Sequence, residues 1–369
     1  MRLVGSPPPP SPPPKGGSAP SLRHLSSPAP ETTPWRDMPH VVVEICTEDV
    51  EGVRLSARAG ADRAELCDNL GAEGTTPSIG TVESAIFAAS EEVAQRRALA
   101  GPHWAKQPDA APFGLRIMIR PRGGSFVFSS DEGRAMVADV RRMAALAREM
   151  SEYTRPQRVA GSVAPQPPAV EIGFVMGVLT SEHVIDRGLL RLLIDTADGA
   201  PVTFNKAIDA TRDLVEAYGD LGGLGVDYVL TSGGSPTALE GAEVLRGLVS
   251  TPGGPRVIAA GHVRPANTAE VIERTGVREI HMRCSRDDCA PGAPQRTDEA
   301  KVRRAVEAAR SLGRPAGADS GSGADSGTGA GRTSPPHRSL RYPAEPSATP
   351  QRAPPDSDQH QGIARDRTR

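Results

Sequence analysis

The sequence is short of several features that would have narrowed its class. Four cysteines in 369 residues are too few for a disulfide scaffold, so free thiols in a reducing compartment are the default reading. No apolar run reaches the roughly 18 residues needed for a membrane-crossing helix. The first residues also lack the apolar stretch of a secretory leader. Charge of one sign is missing too: 43 Lys+Arg against 45 Asp+Glu leave a net charge of -2. That excludes a strongly basic nucleic-acid binder and removes the electrostatic reason to dock on a membrane. Aromatics are scarce (Trp 2, Tyr 4, Phe 6), so a core must rest on Val, Ile, Leu and Ala. The phosphate-loop signature G-x-x-x-x-G-K-[ST] is absent.

Gly (39) and Pro (36) are, by contrast, abundant and unevenly placed. Residues 1–38 and 313–369 have too little apolar area to offset chain ordering and read as disordered tails, the first Pro-rich and the second Gly/Ser/Pro-rich. Residues 39–312 remain for a single domain. Within it, Ala98–Ala111 and Thr154–Pro168 read as loop insertions.

The middle region has a rhythm. Short apolar runs recur at Val41–Cys46, Ala61–Cys67, Gly114–Ile119, Ala169–Val175, Pro201–Phe204, Val226–Leu230, Arg256–Ala260 and Arg278–Met282. Most are followed by an amphipathic segment with a plausible cap. Thr47, Thr76 before Pro77, Ser235 before Pro236, and Asn267 with Glu270 are the expected helix starts. Eight strands alternating with helices predict right-handed βαβ units and a parallel sheet. At this length they predict a (β/α)8 TIM barrel. A doubly wound open sheet is the competitor, but the first βα loop has no G-x-G-x-x-G fingerprint.

In a barrel, functional groups come from the C-terminal strand ends, and residues two apart share a face. Glu44 with Cys46 and Glu65 with Cys67 therefore point the same way on neighbouring strands. Helices should cover the outer face, so both carboxylates are expected inside, with Arg116, Arg120 and Lys206 as cationic partners. Asn205 and His281 occupy comparable places at the mouth. Two thiolates at adjacent strand ends suit a soft ion such as Cu(I) or Zn(II), with Met118 or His281 as a third ligand. The competing expectation is that both cysteines are small buried hydrophobes. Cys284 and Cys289 lie on a loop and read as incidental. The turns Arg120-Pro121-Arg122-Gly123-Gly124 and Ser232-Gly233-Gly234 suggest a second chemistry. Their arginines and backbone N–H groups can hold a phosphate or carboxylate.

Taken in order, these fragments resemble the CutC family, named for copper homeostasis. The residues that carry the likeness are Glu44-Ile45-Cys46, Gly60–Cys67, Gly74–Ser78, Met118–Gly124, Pro201–Phe204, Val229–Gly234 and Glu279–His281. The resemblance implies a cytoplasmic TIM barrel, often a homodimer, with copper as the bound ion and Cys46 and Cys67 at the proposed copper-binding positions. No reaction is attached to the family. This sequence departs from the family pattern at Ser125, where an acid is usual, and at Asn205-Lys206, where His-Arg is usual. It departs again at Ala260-Gly261-His262, which replaces a glycine triplet. Asn cannot replace His in proton transfer near neutral pH, and Lys lacks the guanidinium fork. Two readings stay open: a Cu(I)-binding homeostasis protein, and an enzyme or sensor for a small anionic metabolite held by Arg120, Arg122 and Ser232–Gly234.

Overall fold

Each of the eight apolar runs becomes a strand, and each strand leads to a helix. In chain order these are β1 (Val42–Thr47), α1 (Val50–Arg58), β2 (Arg63–Leu66), α2 (Ile79–Ala100), β3 (Phe113–Met118), α3 (Ser130–Thr154), β4 (Val170–Met176) and α4 (Arg187–Ala197). They continue as β5 (Val202–Phe204), α5 (Leu214–Leu224), β6 (Tyr228–Thr231), α6 (Ala242–Val249), β7 (Arg256–Ala259), α7 (Thr268–Thr275), β8 (Glu279–Met282) and α8 (Glu299–Ser311). The computed structural model describes residues 40–101, 111–154, 168–288 and 295–312. The expected tails, most of both expected insertions, and Cys289 lie outside the described residues.

Neighbouring strands pair in parallel from β1 to β8, and β1 pairs with β8, so the sheet closes. The result is a (β/α)8 TIM barrel. Strand alternation sorts the side chains. Val43, Ile45, Ala64, Leu66, Leu115 and Ile117 join the large core between barrel and helices. Their neighbours along the strands face the barrel interior, where a small cluster of Cys46, Cys67, Leu70, Met118 and Val175 forms. Tyr228, Leu230, Ile258 and Ala260 form another.

Below these clusters the interior is ionic. Arg63 bridges Glu44, at 2.7 Å, and Glu279, which also receives Arg256 at 2.7 Å. Arg116 meets Glu171 at 2.9 Å. The Tyr228 ring lies against three guanidinium groups, 4.9 Å from Arg63, 5.8 Å from Arg116 and 5.7 Å from Arg256. Buried charge is tolerated here because each group has an opposite partner or an aromatic face. Space for the arginines comes from glycines. A Cβ at Gly114 would lie 2.5 Å from Arg63 Cγ, and one at Gly173 would lie 2.9 Å from Arg116 Cδ.

Several helix starts differ from expectation. Thr47 closes β1, and Asp49 caps α1 by accepting from Gly52 N–H. Ser78 caps α2, while Thr76 Oγ1 accepts from Arg120 N–H at 2.9 Å and joins two loops. The segment after Ser235-Pro236 is a string of turns, and α6 begins only at Ala242. Asn267 does stand at the N-cap of α7, but its amide accepts from Arg264 N–H and donates to the His262 carbonyl instead. Polar side chains near a helix start have several local acceptors and donors to choose from, and tertiary contacts decided among them.

Candidate metal centre

β1 and β2 run side by side with Cys46 opposite Glu65, and Cys67 follows one residue past the end of β2. Cys67 N–H donates to the Thr47 carbonyl at 2.9 Å, which continues the ladder and holds its side chain over Cys46. One ligand atom from each of Cys46, Glu65 and Cys67 lies within 4.8 Å of the others, and all three residues are buried. Behind Cys67 the chain returns at Gly74, whose φ of +91° suits glycine. A Cβ there would lie 3.1 Å from Cys67 Sγ and 3.6 Å from Met118 Cε, so the bare backbone roofs the thiol.

His281 on β8 completes the group, because β8 closes the barrel against β1 and sets His281 opposite Glu44. Its Nδ1 is 2.9 Å from Glu44 Oε1, and its Nε2 is 3.6 Å from Glu65 Oε2. The protonation states follow from burial and from these contacts. Burial alone would raise the Glu44 carboxyl, but the charge of Arg63 and the His281 hydrogen bond overcome it and hold it at about 2. The Cys67 thiol donates to Cys46; this bond lowers Cys46 well below the usual thiol range, against burial and with help from His281. The same bond, with burial, pushes Cys67 well up. Burial, then the nearby Cys46 sulfur, raises Glu65. Burial disfavours a charged His281, yet its bonds to Cys46 and Glu44 outweigh that and raise it. The two thiols are thus driven apart, Cys46 downward and Cys67 upward, beside a raised Glu65 and a raised His281 held against the Glu44 carboxylate.

The cluster forms part of the wall of a cavity of about 570 Å3 at the C-terminal mouth of the barrel. Cys46, Glu65, Met118, Asn205, Lys206, Arg120 and His281 all line it. Glu65 Oε1 is buried without a hydrogen-bond partner among the described residues. Asn205 caps the turn at Lys206–Ala210 by accepting from Ala207 N–H, and its Nδ2 approaches Met118 Sδ at 3.9 Å.

The cations and turns expected to hold an anion are engaged within the chain. Arg122 binds Glu132 at 2.6 Å and the carbonyls of Gly123, Ser125 and Val127, away from the cavity. Arg120 stacks 4.6 Å from the Phe126 ring centre and donates to the carbonyls of Ala72, Glu73, Gly74 and Gly124. The Ser232 and Gly234 N–H groups both donate to the Asp209 carboxylate, at 3.1 and 2.9 Å, while Gly233 N–H goes to Thr231 Oγ1. Lys206 pairs with Asp209 at 2.6 Å. The turn does cradle an oxyanion, and that oxyanion is the chain's own. The expected partners of the interior carboxylates are likewise corrected: Glu44 takes Arg63 and His281, whereas Arg116 goes to Glu171. Arg63, Glu279 and Asp209 were not singled out from the sequence. Strand alternation was a usable signal for the first two, since Arg63 shares a face with Glu65 and Glu279 with His281. Cys284 sits in the outer core, its thiol pushed up to about 12 by burial, and takes no part in the cluster.

A closed parallel barrel with a thiol pair, a carboxyl group and an imidazole gathered at its C-terminal mouth defines a TIM-barrel protein with a soft-donor pocket. Comparison with known proteins makes this specific. The model of the CutC family matches residues 41–150 and 168–285, and the chain belongs to that family. CutC family proteins of Mesorhizobium japonicum and Pasteurella multocida are similar to it. The first is 34% identical over 247 residues, 67% of this chain and 78% of the relative. The second is 32% identical over 241 residues, 65% of this chain and 80% of the relative. Among solved structures, a Streptococcus agalactiae CutC whose name refers to copper homeostasis matches with a TM-score of 0.50 and 27% identity, covering 65% of this chain and 97% of that one. No helix among the described residues is long and apolar enough to cross a membrane.

Proposed function

We propose that this protein serves copper homeostasis by taking up Cu(I) at the barrel mouth, with Cys46 and Cys67 as the ligands. The single observation that carries this reading is the convergence of Cys46, Cys67 and Glu65 donor atoms within 4.8 Å of one another. The donor set suits the ion: two sulfurs come from adjacent strand ends, and the Met118 thioether belongs to the same interior cluster. Soft sulfur donors select Cu(I) over harder divalent ions. A Cys46 thiol held below the usual thiol range lowers the cost of releasing its proton when the metal enters. His281 would act from behind, lowering Cys46 through a hydrogen bond, with its ring oriented by Glu44. The name of the Streptococcus agalactiae structure, which refers to copper homeostasis, agrees with this reading.

The test is a competition titration of reduced protein against a coloured Cu(I) chelator. The unmutated chain should withdraw one copper per molecule, and Cys46→Ser/Cys67→Ser should withdraw none. Equal competition by both proteins contradicts the proposal.

A further inference from the structure

The cations around the mouth cavity fall into two groups. Arg120 and Lys206 are tied to carbonyls and to Asp209, as described above. Arg264 and Arg283 also line the cavity, yet neither pairs with a carboxylate among the described residues. Among the described residues their guanidinium hydrogen bonds go to backbone carbonyls alone: Arg264 Nη1 to Val263 at 2.8 Å, and Arg283 Nη2 to Leu70 at 3.4 Å. Both side chains are exposed. They also line a second cavity of about 780 Å3, together with Arg304 from α8, which is likewise without a carboxylate partner among the described residues. The two arginines thus line both openings, and Cys46 of the thiol pair lines the first.

Their placement is built. Arg264 lies on the loop after β7 and Arg283 follows directly after β8. The ends of strands 7 and 8 are where TIM barrels frequently seat phosphate groups. The Arg264 loop is held at both sides by Asn267, which accepts from Arg264 N–H at 2.7 Å and donates to the His262 carbonyl at 3.0 Å. His262 itself has a φ of +54°, a left-handed conformation that a non-glycine residue adopts at a cost. A strained, clamped loop carrying a guanidinium with no carboxylate partner among the described residues is a preorganised donor.

A cavity with sulfur at its base and uncompensated guanidinium groups at its rim complements a molecule that is thiophilic at one end and anionic at the other. Taking the Cu(I) reading of the thiol pair as its basis, we infer that Arg264 and Arg283 receive the carboxylates of a small thiol that delivers Cu(I) to Cys46 and Cys67. The transfer is a ligand exchange with no change of oxidation state. Two carrier Cu–S bonds break as Cu–S bonds to Cys46 and Cys67 form. Each thiol proton displaced from Cys46 or Cys67 leaves on a departing carrier sulfur, so the exchange balances.

The experiment measures the rate of copper uptake by the reduced full chain from two sources, Cu(I) complexed by glutathione and Cu(I) complexed by acetonitrile. With Arg264→Ala/Arg283→Ala, uptake from the glutathione complex should fall about tenfold and lose most of its salt dependence. Uptake from the acetonitrile complex should stay the same or quicken, because its ligand has no carboxylate. Arg264→Lys/Arg283→Lys, which keeps the charge, should recover most of the glutathione rate. An unchanged glutathione rate in the alanine variant overturns the inference. So does an equal slowing from both sources, which would indicate damage to the fold or to the thiol pair. Failure of the unmutated chain to take copper from either source overturns the Cu(I) reading itself, and the inference with it.

Discussion

Glu44 has no exposed surface and carries a negative charge, and it is tolerated because Arg63 and the His281 ring are both within hydrogen-bonding distance. Its carboxyl sits at about 2 against an ordinary 4.5. A depressed carboxylate contributes stability that is present above the unfolded value and lost as pH falls toward the folded one. Glu44→Gln should therefore weaken the protein near neutral pH and flatten the loss of stability between about pH 5 and about pH 3. Urea unfolding midpoints across that range would check it, and parallel pH profiles for both proteins would count against the assignment. At this scale alternation alone set the facing of Glu44, Cys46, Glu65, Cys67 and His281, all expected at the mouth; Cys46, Glu65 and His281 line the cavity and Cys67 lies beside them, whereas Glu44 sits one layer below, against Arg63. Pairings were harder to read. Arg63 is 19 residues from Glu44 but 216 from Glu279, and only barrel closure makes it their common partner.

Among the elements, the loops carry the corrections. Expected caps at Thr47, Thr76 and Ser235 gave way to Asp49, Ser78 and Gly241; Thr47 and Thr76 are engaged instead by Thr297 Oγ1 and Arg120 N–H. Asp49→Ala should cost about 1 kcal/mol, the usual worth of an N-cap side chain, measured by chemical denaturation. The turn after β6 offers a stronger test. Asp209 accepts from Thr231 Oγ1, Ser232 N–H, Gly234 N–H and Lys206, so its removal strands several donors at once. Asp209→Ala should destabilise by on the order of 2 kcal/mol. A change within a few tenths of that of an exposed control would show that the turn holds itself. An anion-binding turn and a turn satisfied by its own carboxylate share the same Ser-Gly-Gly spelling. The acid that distinguishes them comes from the previous βα loop, which local reading does not reach.

For the whole molecule, the barrel was legible because it rests on repetition. Eight apolar runs, most of them followed by an amphipathic segment, leave few ways to bury both faces of a parallel sheet. What repetition does not show is how the interior is filled. Arg63, Arg116 and Arg256 converge on Tyr228, and Gly114 and Gly173 supply the room. Gly173→Ala would place a Cβ 2.7 Å from the Pro201 carbonyl oxygen, a backbone atom that cannot rotate away. It should cost about 1–3 kcal/mol, typical of overpacking. Thermal unfolding at unchanged or raised midpoint would show that the barrel can expand at that layer.

The account turns on two sulfurs from neighbouring strands sharing one ion. X-ray absorption at the copper edge of the Cu(I)-loaded full chain reads this directly. The account predicts a first shell dominated by sulfur, with one sulfur lost in Cys67→Ser. A shell of nitrogen and oxygen donors, or one unaltered by that substitution, would place the copper elsewhere and contradict it.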